Sequence, residues 1–414
     1  MLDQPIVQTT RAGLAAVMRD TSLREWLIGD AWAQPTVEAF VAALAQRLLE
    51  AEFPLARLLV LVGTLHPEYF GAGYLWQEGI DRIEPRYGKR DVRHSPEYLN
   101  SPIRVIRETD TTLVRVRLEG TEGALPYPIC EDLRAEGFTD YAMVALPLTD
   151  GRRTPLAISS RRAGGFTDGQ IERLVALAPL VARIVELHAQ RWLTTNLLET
   201  YTGHEAARRI LAGEIERGRG ETLKAAIWFS DLRDFTALSE RLSRDELLAV
   251  LNAFFERQVD AVRAHGGEVL KFMGDGMLAI FPLPEQCMPE RTCTAGLEAA
   301  RTAVRSLNEL NVEREAEGAE PLRFGLALHV GEVMYGNVGA RDRLDFTVIG
   351  PAVNLVSRLQ RLTGPLGETV LVSADYAQRC GSDLVEPRGQ FALKGIADLQ
   401  TVYAMRPSAL DGAG

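Results

Sequence analysis

The sequence predicts a mixed α/β protein, α+β in kind, built as two domains with a helical linker between them. Its 414 residues exceed one ordinary domain and suit two of roughly 150–200 each. A seam falls near 190–222. There a helical run from Thr167 through Leu198 gives way to Tyr201-Thr-Gly-His204, a short helix, and then Gly213, Gly218 and Gly220. Glycines clustered between periodic segments mark turns and hinges. Beyond Lys224 strands and helices alternate in one compact series, and a different series precedes Gln190. The expected division is 1–189, a linker at 190–222, a second domain at 223–406 and a tail at 407–414.

Composition narrows the function. Apolar residues make up 46% and charged ones 25%, the balance of a folded chain. Lys+Arg 46 against Asp+Glu 56 gives a net charge of −10, so no nucleic-acid partner is expected, since such binding needs cations to displace phosphate counterions. A local basic pocket for a phosphorylated small molecule remains compatible. The longest apolar stretches, Pro54–Gly63 and Val175–Leu187, are broken by Arg57 and Arg183 and fall short of the ~20 residues of a membrane span. Asp3 comes early and no basic n-region precedes an apolar core, so neither a secretory leader nor a membrane partner is expected. Cys130, Cys287, Cys293 and Cys380 show no CxxC spacing. They read as reduced thiols of a cytoplasmic protein without structural zinc.

The first half opens with helical patterns at Gly13–Met18 and Thr36–Leu49. Strand-like stretches follow at Leu58–Gly63, Tyr74–Gln77, Thr112–Leu118, Tyr141–Pro147 and Pro155–Ser159, with a charged segment, Glu84–Pro96, expected as an exposed loop. After Phe166-Thr-Asp-Gly comes a helix carrying Leu174, Leu177, Leu180, Val181, Ile184 and Leu187 on one stripe, either a core face or a dimer seam. His66, His94, His188 and His204 sit in no ligand-spacing motif and read as ordinary residues. Leu146-Pro-Leu-Thr-Asp-Gly-Arg, Leu156-Ala-Ile-Ser159 and Gly165-Phe-Thr-Asp168 resemble the close of a GAF domain. That resemblance, to the GAF/PAS class of sensors, implies a regulatory or dimerisation role for 1–189 and a possible small-molecule effector. An α+β dimerisation domain without a ligand is the alternative.

The second half carries the chemistry. Ala225–Phe229 reads as a buried strand ending in Ser230-Asp231-Leu-Arg-Asp234-Phe235-Thr236. A carboxylate there stands at a sheet edge beside free helix N–H groups, which bind phosphate readily. Ser243-Arg-Asp-Glu246 is a capping box opening a helix. Gly267 to Phe281 reads as a hairpin with Gly274-Asp275-Gly276 at its tip. Asp-Gly alone is an everyday turn. Two carboxylates on adjacent strand ends, however, can hold two divalent cations for an in-line phosphoryl transfer. Leu322–Val330 reads as a strand, and the spaced glycines of Gly331–Gly339 imply close backbone approach. Arg341-Asp-Arg343 is a basic loop. Asp345–Gly350 leads into a helix with Asn354 and Arg358 on one face. Leu393-Lys394-Gly395 precedes a last strand, Thr401–Met405.

Residues from about 222 to 405 resemble the catalytic domain of class III adenylate/guanylate cyclases. Five motifs stand in the family's order: Phe229-Ser-Asp231 with Phe235-Thr236; Lys271-Phe-Met-Gly-Asp275; Gly331 to Gly339; Thr347-Val-Ile-Gly350 with Asn354 and Arg358; and Leu393-Lys394-Gly395. The resemblance implies a ferredoxin-like fold and two metal ions, Mg2+ or Mn2+, per active site. Asp231 and Asp275 would hold both, with the Leu232 carbonyl assisting. It further implies that N–H groups around Phe235 and Thr236 hold the β- and γ-phosphates. Lys271 and Thr347 would read the base, Asn354 would place the ribose, and Arg358 would meet charge building on the α-phosphate. Lys394 and an arginine of the Arg341–Arg343 loop would take the terminal phosphates. That loop is one residue longer than in some members, which favours Arg343.

Many adenylate cyclases carry aspartate where Thr347 stands, and threonine there resembles a subgroup whose hydroxyl reads the adenine amino group. Guanylate cyclases place glutamate and cysteine at the two base positions, and this chain has neither, so ATP is the expected substrate. The family's sites form between head-to-tail domains, and this chain contains one set of each half, which implies a homodimer. A guanylate cyclase or a catalytically silent nucleotide-binding domain is the alternative, but no metal carboxylate and neither member of the Asn354/Arg358 pair is missing. No Gly-Gly-(Asp/Glu)-(Asp/Glu)-Phe stretch of a diguanylate cyclase occurs.

Overall fold

The computed structural model describes residues 22–63, 69–80, 82–120, 123–283, 288–381 and 383–406. The expected helix at Gly13–Met18, His66, Cys287 and the tail at 407–414 lie outside them. The chain divides into two units, 1–197 and 198–414. Among the described residues no helix is long and apolar enough to cross a membrane.

The first unit is built on a six-stranded antiparallel sheet. Its strands are β1 (Arg57–Gly63), β2 (Tyr69–Gln77), β3 (Pro85–Lys89), β4 (Leu113–Arg117), β5 (Asp140–Pro147) and β6 (Arg153–Ser160), in the order β3-β2-β1-β6-β5-β4. Strand β5 is buried on both faces, which explains its unbroken apolar run. Ala142, Val144 and Leu146 pack with the Val37–Glu50 and Asp168–Thr202 helices. Tyr141, Met143 and Ala145 pack on the other face with Ile106 and Leu133. Thr36 caps the first of these helices by accepting from Ala39 N. Buried Asp140 pairs with Arg115 at 2.9 Å and accepts from Phe166 N. A Cβ at Gly165 would stand 2.4 Å from the Asp140 Cβ, so that close approach requires glycine. The segment Glu84–Pro96 corrects the sequence reading: it is not an exposed loop but edge strand β3 followed by a 3-10 turn, Arg90–His94. Its charges suit a sheet edge, where they oppose pairing with other strands.

The second unit holds an eight-stranded sheet. Its strands are β7 (Gly220–Leu232), β8 (Glu268–Met273), β9 (Gly276–Pro282), β10 (Phe324–Gly339), β11 (Leu344–Ile349), β12 (Val370–Ser373), β13 (Val385–Phe391) and β14 (Gln400–Met405). The order is β13-β14-β12-β10-β7-β9-β8, with β11 paired to β10. Within it β10-β7-β9-β8 run antiparallel. Helix Arg244–Ala264 connects β7 to β8 and helix Pro289–Ala316 connects β9 to β10, which is the βαββαβ, ferredoxin-like arrangement. Both helices cover one face, against Trp228, Phe281 and Leu326. Helix Pro351–Gln360 lies on the other, against Ile227 and Ala327. The Ser243/Glu246 capping box forms in full. The glycine-spaced stretch after Val330 continues β10, and a Cβ at Gly336 would stand 2.4 Å from the Arg219 carbonyl.

Candidate active site

Residues 225–228 are fully buried, so β7 is anchored through the core before it delivers Asp231 to its end. Asp231 is paired with Gly276 on β9 and with Gly325 on β10. The Leu232 amide donates to the Asp275 carbonyl at 3.3 Å, tying the hairpin tip to the same strand end. Gly276 lies against the Asp231 carboxyl: a Cβ there would stand 3.2 Å from Oδ1. The two carboxyl groups share a hydrogen bond, and burial followed by the Asp275 charge raises the pKa of Asp231. The Leu232 amide and the charge of Arg361 pull the other way.

Such a pair suits divalent cations, whose charge would stand where the shared proton now does. Among the described residues no group of three or more His, Cys, Asp or Glu side chains could hold a metal. A cation here would draw on these two carboxylates, backbone oxygen and substrate phosphate.

Thr347 stands at the far end of the sheet's central ladder. It pairs with Gly336 on β10, which in turn pairs with Gly220 at the start of β7. Its side chain is buried, and its hydroxyl has no hydrogen-bond partner in the protein. Lys271 follows an irregularity in the β8–β9 register, a device that re-aims side chains. Its ammonium lies 3.4 Å from Asp345 Oδ2, and Asp345 shares a strand face with Thr347 two residues on. Lys271 and Asp345 line a cavity of about 650 Å3.

Asn354 and Arg358 project from helix Pro351–Gln360, where Arg358 donates to the Asn354 carbonyl at 3.2 Å. The loop after β13 meets this helix: a Cβ at Gly395 would be 3.5 Å from Arg358 Nη2, and adjacent Lys394 is exposed. Arg341 and Arg343 are both exposed in the β10–β11 turn, closed by the Ala340 amide donating to the Arg343 carbonyl. Phe235 and Thr236 open a short helix, Phe235–Arg241, after Asp234 in left-handed backbone (φ 58°). Asp234 pairs with Arg323 at 2.9 Å.

Residues 220–406 match the family described as the adenylate and guanylate cyclase catalytic domain. This segment is a cyclase catalytic domain. Adenylate cyclase 1 of Rhizobium meliloti (strain 1021) is 31% identical over 179 residues, 42% of this chain and 26% of that protein. The adenylate cyclase of Anabaena cylindrica is 32% identical over 163 residues, 38% of this chain and 31% of that protein. The matched stretches thus span about a quarter to a third of those relatives. Among solved structures, the guanylyl cyclase Cya2 is 31% identical, covering 45% of this chain and 93% of that one with a TM-score of 0.39. The adenylyl cyclase CyaB from P. aeruginosa is 28% identical, covering 45% and 96% with a TM-score of 0.40.

Within the cyclase domain the structure joins Asp231 to Asp275, sets Lys271 beside Asp345 on the strand of Thr347, and brings the Lys394–Gly395 loop to Arg358. It keeps Asp231 and Thr347 apart. Two residues escaped the sequence reading. Asp345 carried a signal, because position i−2 of a strand shares the face of Thr347. Arg361 carried none, since its charge bears on Asp231 only once helix Pro351–Gln360 is packed on the sheet. The flagged histidines are ordinary: His94 is exposed, His188 packs on Phe40, and His204 pairs with Glu199. Cys130, Cys293 and Cys380 are buried free thiols.

Proposed function

We propose that residues 223–406 form an adenylate cyclase that works as a head-to-tail homodimer, with 1–189 as a GAF-like regulatory domain and 190–222 as its linker, in the cytoplasm. The separation of Asp231 from Thr347 carries the reading: one chain offers a carboxylate half-site and, elsewhere, a base-reading half-site. A twofold pair joins each half to its complement and yields two equivalent sites.

In that site Asp231 and Asp275 would hold two Mg2+ or Mn2+ ions, which when bound supply Lewis-acid neutralisation of the triphosphate and acidify the ribose hydroxyl. N–H groups at Phe235 and Thr236, with Arg343, grip the terminal phosphates, and Lys394 joins them from the second chain, on the loop that lies against that chain's Arg358. From the other chain, Lys271 and the unpartnered Thr347 hydroxyl read the adenine edge and Asn354 orients the ribose. The 3′-oxygen bonds to the α-phosphorus, the bond from that phosphorus to the bridging oxygen breaks, pyrophosphate leaves, and the hydroxyl proton passes to solvent. Arg358 stabilises charge on the α-phosphate, where a planar guanidinium suits the equatorial oxygens.

Adenine is favoured because the unpartnered Thr347 hydroxyl can accept from its amino group and the Lys271 ammonium can donate to its ring nitrogen. Product analysis with ATP and GTP, each with Mg2+ and with Mn2+, tests this. Cyclic AMP as the dominant product supports the reading; cyclic GMP, or no product under any condition, overturns it.

A further inference from the structure

One row of side chains across the first unit's sheet is polar where its surroundings are not. Gln77 on β2 faces Arg57 on β1, Arg57 faces Ser159 on β6, and Ser159 faces Tyr141 on β5. Residues directly opposite on antiparallel strands stand about 5 Å apart at Cβ and share a face. Leu58 and Ile158, the neighbours of Arg57 and Ser159, pack toward helices Val37–Glu50 and Asp168–Thr202. The polar row therefore lies on the other face, where Leu59, Tyr141 and Ala157 pack with Ile106, Leu133 and Phe138.

Three members of the row lack what buried polar groups ordinarily have. Ser159 is fully buried, and its hydroxyl has no hydrogen-bond partner in the protein. Tyr141 is 2% exposed and Arg57 is half-buried. Among the described residues no hydrogen bond reaches the Tyr141 hydroxyl, and no hydrogen bond or ion pair reaches the Arg57 guanidinium. Such groups are rarely left unpaired, so three on adjacent strands call for an occupant. Burial lowers the pKa of Arg57, Tyr141 and Glu136 act against that, and Arg86 adds to it. The guanidinium stays charged regardless. Burial raises the pKa of Tyr141, so its phenol remains a donor.

We propose that this row binds a small organic monocarboxylate. A carboxylate offers about four lone-pair sites. The Arg57 fork takes two of them, and the Ser159 and Tyr141 hydroxyls donate to the others. The Gln77 amide borders the guanidinium, and an apolar body meets Leu133 and Phe138. One negative charge matches one guanidinium, whereas a phosphate dianion would carry an excess toward Glu136. A neutral amide would set its own NH2 against a row of donors.

The test is calorimetric titration of the full chain with propionate, benzoate, propionamide, benzamide and inorganic phosphate. At least one of the two carboxylates should bind one per chain, tenfold or more tighter than its own amide and than inorganic phosphate. Arg57→Gln should weaken that binding tenfold or more. Ser159→Ala deletes a hydroxyl that bonds to nothing in the protein, so the ligand-free variant should melt no lower than the wild type. Its affinity for the carboxylate should nonetheless fall at least threefold. Absence of binding by both carboxylates, equal affinity for the amides, or unchanged affinity in Ser159→Ala would overturn the proposal. So would a lower ligand-free melting temperature in Ser159→Ala, which would mean that the hydroxyl is bonded within the fold. The readouts are binding and melting, so the result is independent of turnover in the second unit.

Discussion

Asp231 and Thr347 stand at opposite ends of one antiparallel ladder, Asp231 facing Gly325 and Thr347 facing Gly336 of the same strand. The relationship follows from β10 being a single long strand whose two ends each meet a different functional edge. The Asp231/Asp275 carboxylate pair is thereby set apart from Thr347, and under the proposed head-to-tail pairing a second copy of the chain would supply what each edge lacks.

Removing either carboxylate should abolish turnover without unfolding the protein. Asp231→Ala and Asp275→Ala should each lose on the order of 10³-fold or more in kcat, as several kcal/mol of transition-state stabilisation is lost. In EDTA, Asp231→Asn should melt above the wild type, because it relieves a buried charge beside Asp275. Steady-state kinetics and thermal melts check both, and a well-folded Asp275→Ala variant with near-normal activity would contradict the assignment.

Base choice should follow Lys271 and Thr347. Replacing them with Glu and Cys should lower ATP turnover and raise relative use of GTP. The loss should exceed the gain, since polar groups left unmet in a base pocket are costly. The ratio of kcat/KM for the two nucleotides reads this out, and an unchanged ratio contradicts it.

His329 should make the second unit sensitive to mild acid. It is buried, its Nδ1 is 2.8 Å from Ser373 Oγ, and that hydroxyl already accepts from the Tyr376 amide. The hydroxyl proton is thus left for a neutral imidazole, and burial lowers the His329 pKa to about 4. A depressed histidine pKa means that the unfolded chain binds more protons between about 4 and 6.5. Stability is then full above pH 6.5 and declines as the pH falls toward 4, by up to about 3 kcal/mol. Thermal melts from pH 7.5 to 4.5 should show a smaller decline for His329→Gln, and parallel declines would contradict the account.

What the sequence made legible was local. The apolar run before Asp231, the Gly274-Asp275-Gly276 tip and the Ser243/Glu246 box each announce themselves within a few residues, and each forms as read. Helix Pro289–Ala316 did not stand out because its buried stripe includes alanines, Ala299, Ala300 and Ala303, which contrast weakly with their neighbours. Edge strand β3 is charged and carries proline and glycine, so it reads as a loop, and β13, with proline and glycine among its charges, shows no strand pattern. The Lys271–Asp345 pair joins residues 74 apart and exists only once β11 is laid down, beyond the reach of any local pattern.

The most direct measurement of the central claim is complementation between two inactive variants. Asp275→Ala and Arg358→Ala should each be inactive alone, since each removes one member of every site in its own homodimer. In a mixed head-to-tail dimer one site carries both lesions and the other carries neither. With free exchange and random pairing half the dimers are mixed, so recovery should approach about one quarter of wild-type activity on symmetry alone. Tag pull-down establishes that both variants dimerise and exchange. Activity near one quarter is the predicted result. Confirmed mixed dimers with no recovered activity would mean that Asp275 and Arg358 serve one site from the same chain, and the shared-site account would be wrong.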